Sequence, residues 1–345
     1  MKEKITIIFC LIVFSLFGKG LYFDYDFSLE TTYDSNVLKL SDHDLDRFEA
    51  GNDGEKFDLE TTDDLIFSPL LRLEGKNYWI SGHTQKHEIF LKYNKYLKND
   101  CLDDGYLGYK FTQFLSRKVN LELSYFYYPE IYVNRYQSVL DQVPTYHDYT
   151  YEKNGYNAAI EWKTTELFEL TYHMGLAQLL YNKYFTEYDA LNFDNSIKVL
   201  LYPKGKIRTS LSYEYVNSAA DGEDAYDDDE VDEIKDASYE SNTYSVSYYI
   251  PTLIKIGKKK ISLSAGADYE QRYYQTNRED DTYHYSREDY TVTADAALGI
   301  DLNKSFGLRL SGKYQKRNTD SPSSTVERDK NYDMYETGLK ISCKF

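Results

Sequence analysis

Six histidines, His43, His83, His87, His147, His173 and His284, are the side chains of this 345-residue chain that could act as a base near neutral pH. His83 and His87 stand four apart, but Thr84 follows His83 where the zinc-protease helix pattern needs Glu. Asp42, Asp44 and Asp46 are spaced like the opening of a calcium-binding loop, with Asp53 at its last place. The turn position is Arg47, where that loop needs Gly, so the match reads as chance. Ten acids crowd the stretch from Asp221 to Asp236, with Lys235 the only base among them. Within it Asp227, Asp228, Asp229 and Glu230 could hold divalent cations or draw cations to a surface. A solvated loop is the other reading, and the commoner one for such charge blocks. No Gly-rich nucleophile elbow, phosphate loop or cysteine-based metal site is present, and no cofactor is expected.

The elements that must position these residues are strands. Tyr335, Thr337, Leu339, Ile341, Cys343 and Phe345 fall on one side of an extended chain, and Glu336, Lys340, Ser342 and Lys344 on the other. The same period-two alternation begins at Leu21-Phe23-Tyr25-Phe27 and recurs throughout, for example at Phe168-Leu170-Tyr172-Met174 and Ile261-Leu263-Ala265. About fourteen such segments are present, each near the length that crosses a bilayer at a tilt. The least regular are the second and third, where Pro69 interrupts Asp63 to Glu74 and Gly75 to Lys86 lacks clear alternation.

The connections alternate too. Phe114 to Lys118, Lys163 to Glu166, Pro203 to Lys206 and Leu302 to Ser305 are short. Asp34 to Thr62, Pro129 to His147, Asn217 to Ala237, Tyr274 to Tyr285 and Arg317 to Lys330 are long and polar. This predicts an all-β fold: one closed, antiparallel transmembrane β-barrel over residues 21–345, with short periplasmic turns and long acidic extracellular loops. Backbone groups in hydrocarbon must all be hydrogen-bonded, so the first strand is expected to pair with the last. Met1 to Gly20, with Lys2 and Lys4 before an apolar run from Ile5 to Phe17, reads as a signal peptide too short to span a bilayer. Cys10 lies in that leader. Cys101 and Cys343 fall at opposite barrel ends and are expected unpaired.

Composition agrees. A mean hydropathy of -0.65 and 41% hydrophobic residues exclude a bundle of transmembrane helices. Tyr, with 38 copies, suits strands and membrane interfaces. Phe345, Phe306, Trp162, Phe168 and Tyr202 are expected in one interfacial belt. Tyr33, Tyr127, Tyr181, Tyr215, Tyr273 and Tyr332 are expected in the other. The net charge of -17 argues against a nucleic-acid partner, which would need neutralised phosphates.

With the apolar positions facing lipid, their neighbours face a lumen. The lining residues expected there are Glu122, Glu169, His173, Lys198, Arg208, Glu214, Asp268, Arg272, Asp295, Arg309, Lys313 and Glu336. Charges of both signs imply hydration, and a fourteen-strand barrel lies between filled and open sizes. A channel for passive diffusion of small polar or ionic solutes is therefore expected. An adhesin or structural barrel with a plugged lumen is the alternative, with the Tyr-rich stretch Tyr128 to Tyr151 as its recognition surface. A hydrolase built on His173 is a further reading; no enzyme is expected.

The whole pattern resembles a Gram-negative outer-membrane β-barrel protein of porin-like type. Tyr335, Leu339, Ile341 and Phe345 resemble the aromatic-ended signal read by the barrel assembly machinery. The resemblance implies insertion by that machinery, residence in the cell outer membrane, and outer-membrane lipid and lipopolysaccharide as partners. Tyr33-Asp34-Ser35-Asn36-Val37 resembles a segment that follows the first strand in many such barrels; some of those carry helical export repeats, which this chain lacks.

Overall fold

The computed structural model describes residues 22–52, 54–80, 82–137, 143, 145–202, 207–220, 222 and 235–345. The leader, residues 1–20, and the acidic candidates Asp227, Asp228, Asp229 and Glu230 lie outside them.

Fourteen antiparallel strands form one closed barrel. They are β1 (Tyr22–Asp34), β2 (Asp64–Asn77), β3 (Gln85–Tyr96), β4 (Asp104–Phe114), β5 (Val119–Gln137), β6 (Tyr146–Lys163) and β7 (Phe168–Tyr181). The second half comprises β8 (Ala190–Leu201), β9 (Arg208–Ala220), β10 (Tyr239–Ile256), β11 (Lys259–Tyr274), β12 (Glu288–Asp301), β13 (Phe306–Asp320) and β14 (Tyr332–Lys344). Each strand pairs with its sequence neighbours, and β1 closes on β14 from Asp26↔Lys344 to Asp34↔Glu336. At the seam the Phe345 N–H donates to the Tyr25 carbonyl at 3.1 Å, and the two rings stack with centroids 5.1 Å apart. Closure leaves no edge, which hydrocarbon demands.

Alternation aims the side chains. Leu123, Ile160, Met174, Ile197, Leu310 and Leu339 are exposed on the outer face. Several polar groups on that face are paired. Tyr125, Tyr172 and Tyr213 each donate to an Asn of the next strand, Asn154, Asn195 and Asn242, at 2.7–2.8 Å. Such pairing lets an amide sit beside lipid without an open hydrogen bond. Among the described residues no helix is long and apolar enough to cross a membrane. A closed barrel, apolar outside and charged inside, is an outer-membrane fold, and the chain resides in the outer membrane.

Several details depart from the alternation reading. β2 runs through Pro69, which pairs with Leu29 of β1, while the ladder to β3 breaks at Ser68 and Pro69. A strand tolerates proline where its missing N–H costs only local pairing. Pro129 to His147 is not one long loop: β5 and β6 continue past it, with irregular register at Tyr128/Ile131 and Tyr132/Asn134. Strands can extend beyond the bilayer when their partners extend with them. Tyr181 and Tyr332 leave the expected outer belt and face inward, because each occupies the opposite phase of its strand; Tyr332 is 6% exposed. Two helices punctuate the long loops. α1 (Asp42–Glu49) joins β1 to β2, and α2 (Ser324–Lys330) joins β13 to β14. Ser41 caps α1 by accepting from the Asp44 N–H at 3.1 Å. Asp44 meets Lys56 at 2.8 Å and Arg47 at 3.2 Å, so that carboxylate is used in packing. Cys101 and Cys343 are free thiols, and burial, then nearby Asp58, pushes the Cys101 thiol up to about 11.

Candidate functional site: the lumen and its outer mouth

All twelve lining candidates occupy the inward phase of their strands. Asp295, Arg309, Lys313 and Glu336 come together, with Glu30, around a recess of about 170 Å³ in the wall of β12, β13, β14 and β1. Lys313 Nζ meets Glu336 Oε1 at 2.8 Å, and Arg309 reaches Ser264 Oγ of β11 at 2.9 Å. Glu122 and His173 share a second recess of about 200 Å³ with Ser124 and Asn157, in the wall of β5, β6 and β7. His173 Nδ1 lies 3.1 Å from Asp194 Oδ2, Lys110 meets Glu122 at 2.7 Å, and Glu214 feels the charge of His173.

The other candidates are scattered. Glu169 sits near the short-turn end, where Tyr202 donates to it at 3.4 Å. Arg208 lies there too, over the Tyr202 and Tyr249 rings at 5.8 and 5.5 Å. Lys198 and Asp268 face inward beside Ser212 and Ser245 respectively. Arg272 rises toward the outer mouth, bound to Glu270 at 2.9 Å and lying over the Tyr239 ring at 4.3 Å.

Two inward carboxylates, Asp194 and Asp295, share one device. A Cβ on Gly175 would stand 2.0 Å from Asp194 Oδ1, and one on Gly266 would stand 2.6 Å from Asp295 Oδ1. In each case a carboxylate lies flat over a glycine of the neighbouring strand, and a side chain there would force it away. Asp194 is thereby turned toward His173.

Sequence reasoning missed the densest network on the wall. Arg72 of β2 meets Asp26 of β1 at 3.3 Å, Glu74 at 2.8 Å and Glu88 of β3. Lys76 joins Glu74 at 2.6 Å, and Lys86 joins Glu88 at 2.7 Å. The signal was present in the even phase of β1 and was obscured where Pro69 blurred β2. Asp194 was also missed, although it shares its phase with Lys198.

Above the wall, the long loops fold over the mouth. Tyr149 of β6 is 9% exposed and packs against Tyr136 of β5, Tyr181 of β7, and Phe185 and Tyr188 of the β7–β8 loop, at 4.8–5.2 Å. Tyr188 contacts His284 of the β11–β12 loop at 6.3 Å. These two loops are separated around the barrel by the four strands β8 to β11. α1 packs on α2. The cap therefore spans the barrel. Its rings point inward, so Tyr149 and Tyr151 are not displayed as a recognition surface.

His284 is the hub of the cap. Its Nδ1 lies 2.8 Å from Asp281 Oδ2, which also accepts the Asp236 N–H at 3.0 Å. Burial holds the His284 imidazole below its ordinary range, although the hydrogen bond to Asp281 opposes this. Cations gather beside it. Arg287 forms a two-pronged pair with Asp289 at 3.0 and 2.6 Å, and Arg317 lies 4.0 Å from the same carboxylate. Lys330 stands 4.6 Å from the Tyr283 ring centre. Among the described residues no cluster of His, Cys, Asp and Glu is arranged to hold a metal.

No protein-family model and no curated protein matches the sequence. Solved structures with a similar course include a loop-deleted OmpT, an outer membrane protein of Vibrio cholerae, at 8% identity and a TM-score of 0.48, covering 95% of this chain and 100% of that one. An anion-selective porin from Comamonas acidovorans is 8% identical with a TM-score of 0.43, covering 94% and 98%. OccAB4 of Acinetobacter baumannii is 12% identical with a TM-score of 0.41, covering 94% and 98%. These values concern the course of the chain and assign no function. On its own geometry, the chain is an outer-membrane β-barrel of fourteen strands, porin-like in architecture.

Proposed function

We propose that this protein is a channel for passive diffusion of small polar or ionic solutes, narrowed at its outer mouth by the loop cap. The inner wall carries this reading. Many of its charges, such as Lys110 with Glu122 and Lys313 with Glu336, are paired between adjacent strands, and these pairs are only half-buried. A wall of that kind stays hydrated, because burying such charges without water would be costly. Acids and bases alternate along it, which favours weak selectivity between cations and anions. The paired carboxylates and bases line a path and perform no chemical step in this reading. His173 and Asp194 supply a base and its orienting acid, but Ser124 shares their recess without a hydrogen bond to His173.

Planar bilayers test the proposal. Purified, folded protein should give stepwise ion conductance, and silence at every voltage would replace the channel with a plugged structural barrel. The cap favours that second reading, since its aromatic contacts cross the mouth. Insertion by the barrel assembly machinery through Tyr335, Leu339, Ile341 and Phe345, and contact with lipopolysaccharide around the outer rim, belong to the same proposal. Replacing Phe345 with Ser should reduce the amount of barrel recovered from outer membranes.

A further inference from the structure

We infer that the cap holds a binding site for a doubly charged oxyanion, of the phosphate or sulfate type, between Arg287, Arg317 and Lys330. These three cations converge from separate elements. Lys330 Nζ and Arg287 Cζ lie 4.6 and 5.8 Å from the centre of one ring, Tyr283. Arg317 Nε donates to the Lys330 carbonyl at 2.8 Å. One carboxylate, Asp289, is shared by the two guanidinium groups. Asp289 Oδ1 takes Arg287 Nε and the Thr319 hydroxyl at 2.7 Å, while Oδ2 takes Arg287 Nη2. Among the described residues no carboxylate pairs with Lys330, since the adjacent Asp329 is held by Arg328 at 2.9 Å. Lys56 adds a fourth cation nearby, answered by Asp44.

A chain of net charge -17 thus keeps a positive excess inside its mouth. Unpaired charge within a protein is costly unless a counter-ion completes it. The N–H groups that Arg287 and Arg317 do not spend on Asp289 and the Lys330 carbonyl, with the Lys330 ammonium, suit an oxyanion with several acceptor oxygens. Arg287 is buried, whereas Lys330, Arg317 and Tyr283 each keep part of their surface open, so a solute can reach the centre. The cap encloses the site from the side, so the ligand is a soluble oxyanion rather than a bilayer headgroup. Burial, then Arg287 and Arg317, brings the Lys330 ammonium down to about 7, with Asp289 opposing and Lys56 adding to the effect. A bound dianion reverses that shift, so binding takes up a proton in mildly alkaline buffer.

The full-length protein in detergent should be titrated calorimetrically with sulfate, which stays doubly charged throughout the neutral range, at ionic strength held constant with chloride. Saturable binding at one site is expected. Lys330→Gln should weaken it at least tenfold, Lys330→Arg should retain it, and Lys304→Gln at the short-turn end should leave it unchanged. The wild-type enthalpy should vary with the ionisation heat of the buffer, and that dependence should vanish in Lys330→Gln. Absence of saturable binding, equal binding by Lys330→Gln, or binding without proton uptake would each overturn the assignment. The site holds its anion whether or not the barrel conducts, so a silent bilayer would leave it standing.

Discussion

The barrel wall and the loop cap are built on opposite principles. On the wall, partners are neighbours: Lys110 with Glu122, Lys313 with Glu336 and His173 with Asp194 lie on adjacent strands. In the cap, contacts also join loops that are not neighbours: Tyr188 of the β7–β8 loop meets His284 of the β11–β12 loop. The wall is ionic, with most side chains half-open, while the cap core is aromatic and closed. A wall pair can be lost with its neighbours intact. Loss of a cap residue releases several loops together, because each ring is shared.

The sharpest way to break the contrast is Tyr149→Ala. It removes a buried ring with four aromatic neighbours and should cost the cap about 3 kcal/mol. Protease cleavage of the β7–β8 loop should accelerate and conductance should rise several-fold. An unchanged cleavage rate would mean that the cap does not depend on this cluster.

Arg72→Met tests the most connected point of the wall. Glu88, with its side chain 3% exposed, would keep only Lys86. The expected loss is about 2 kcal/mol of barrel stability, read from denaturant unfolding in detergent. A loss as large as that of Tyr149→Ala, accompanied by cap opening, would show that wall and cap are one cooperative unit.

Acid should act on the cap first. Because the folded-state value of His284 lies below its ordinary one, the unfolded cap binds more protons as pH falls below about 6.5. The His284 contribution to cap stability is therefore fully present above that range and declines beneath it, by under about 1.4 kcal/mol per pH unit. Hydrogen exchange of the β11–β12 loop should quicken on acidification, and His284→Gln should flatten the response. An equal response in both proteins would assign the effect elsewhere.

The smallest effect belongs to a single wall pair. Lys313 and Glu336 have side chains 34% and 27% exposed, so their coupling in a double-mutant cycle should be about 0.5 kcal/mol. Lys313→Gln should nonetheless shift ion selectivity toward cations, since it leaves Glu336, Asp295 and Glu30 around the recess with Arg309 alone.

The alternation of residues along the chain determined the strands, the two faces and the closing pair β1–β14, because a strand sends every second side chain to the same side. It also set the phase of all twelve lining candidates, since phase is a property of local sequence. Tertiary structure alone decided which of them meet: Asp295 with Lys313, but Lys198 with a serine. It alone turned Asp194 toward His173 over Gly175, whereas the inward phase of Tyr181 and Tyr332 was already legible in the alternation. The cap was invisible beforehand. Its contacts join separate loops, such as Tyr188 with His284, and no periodicity encodes such pairs. Packing and desolvation select them only once the barrel has brought the loop ends to one rim.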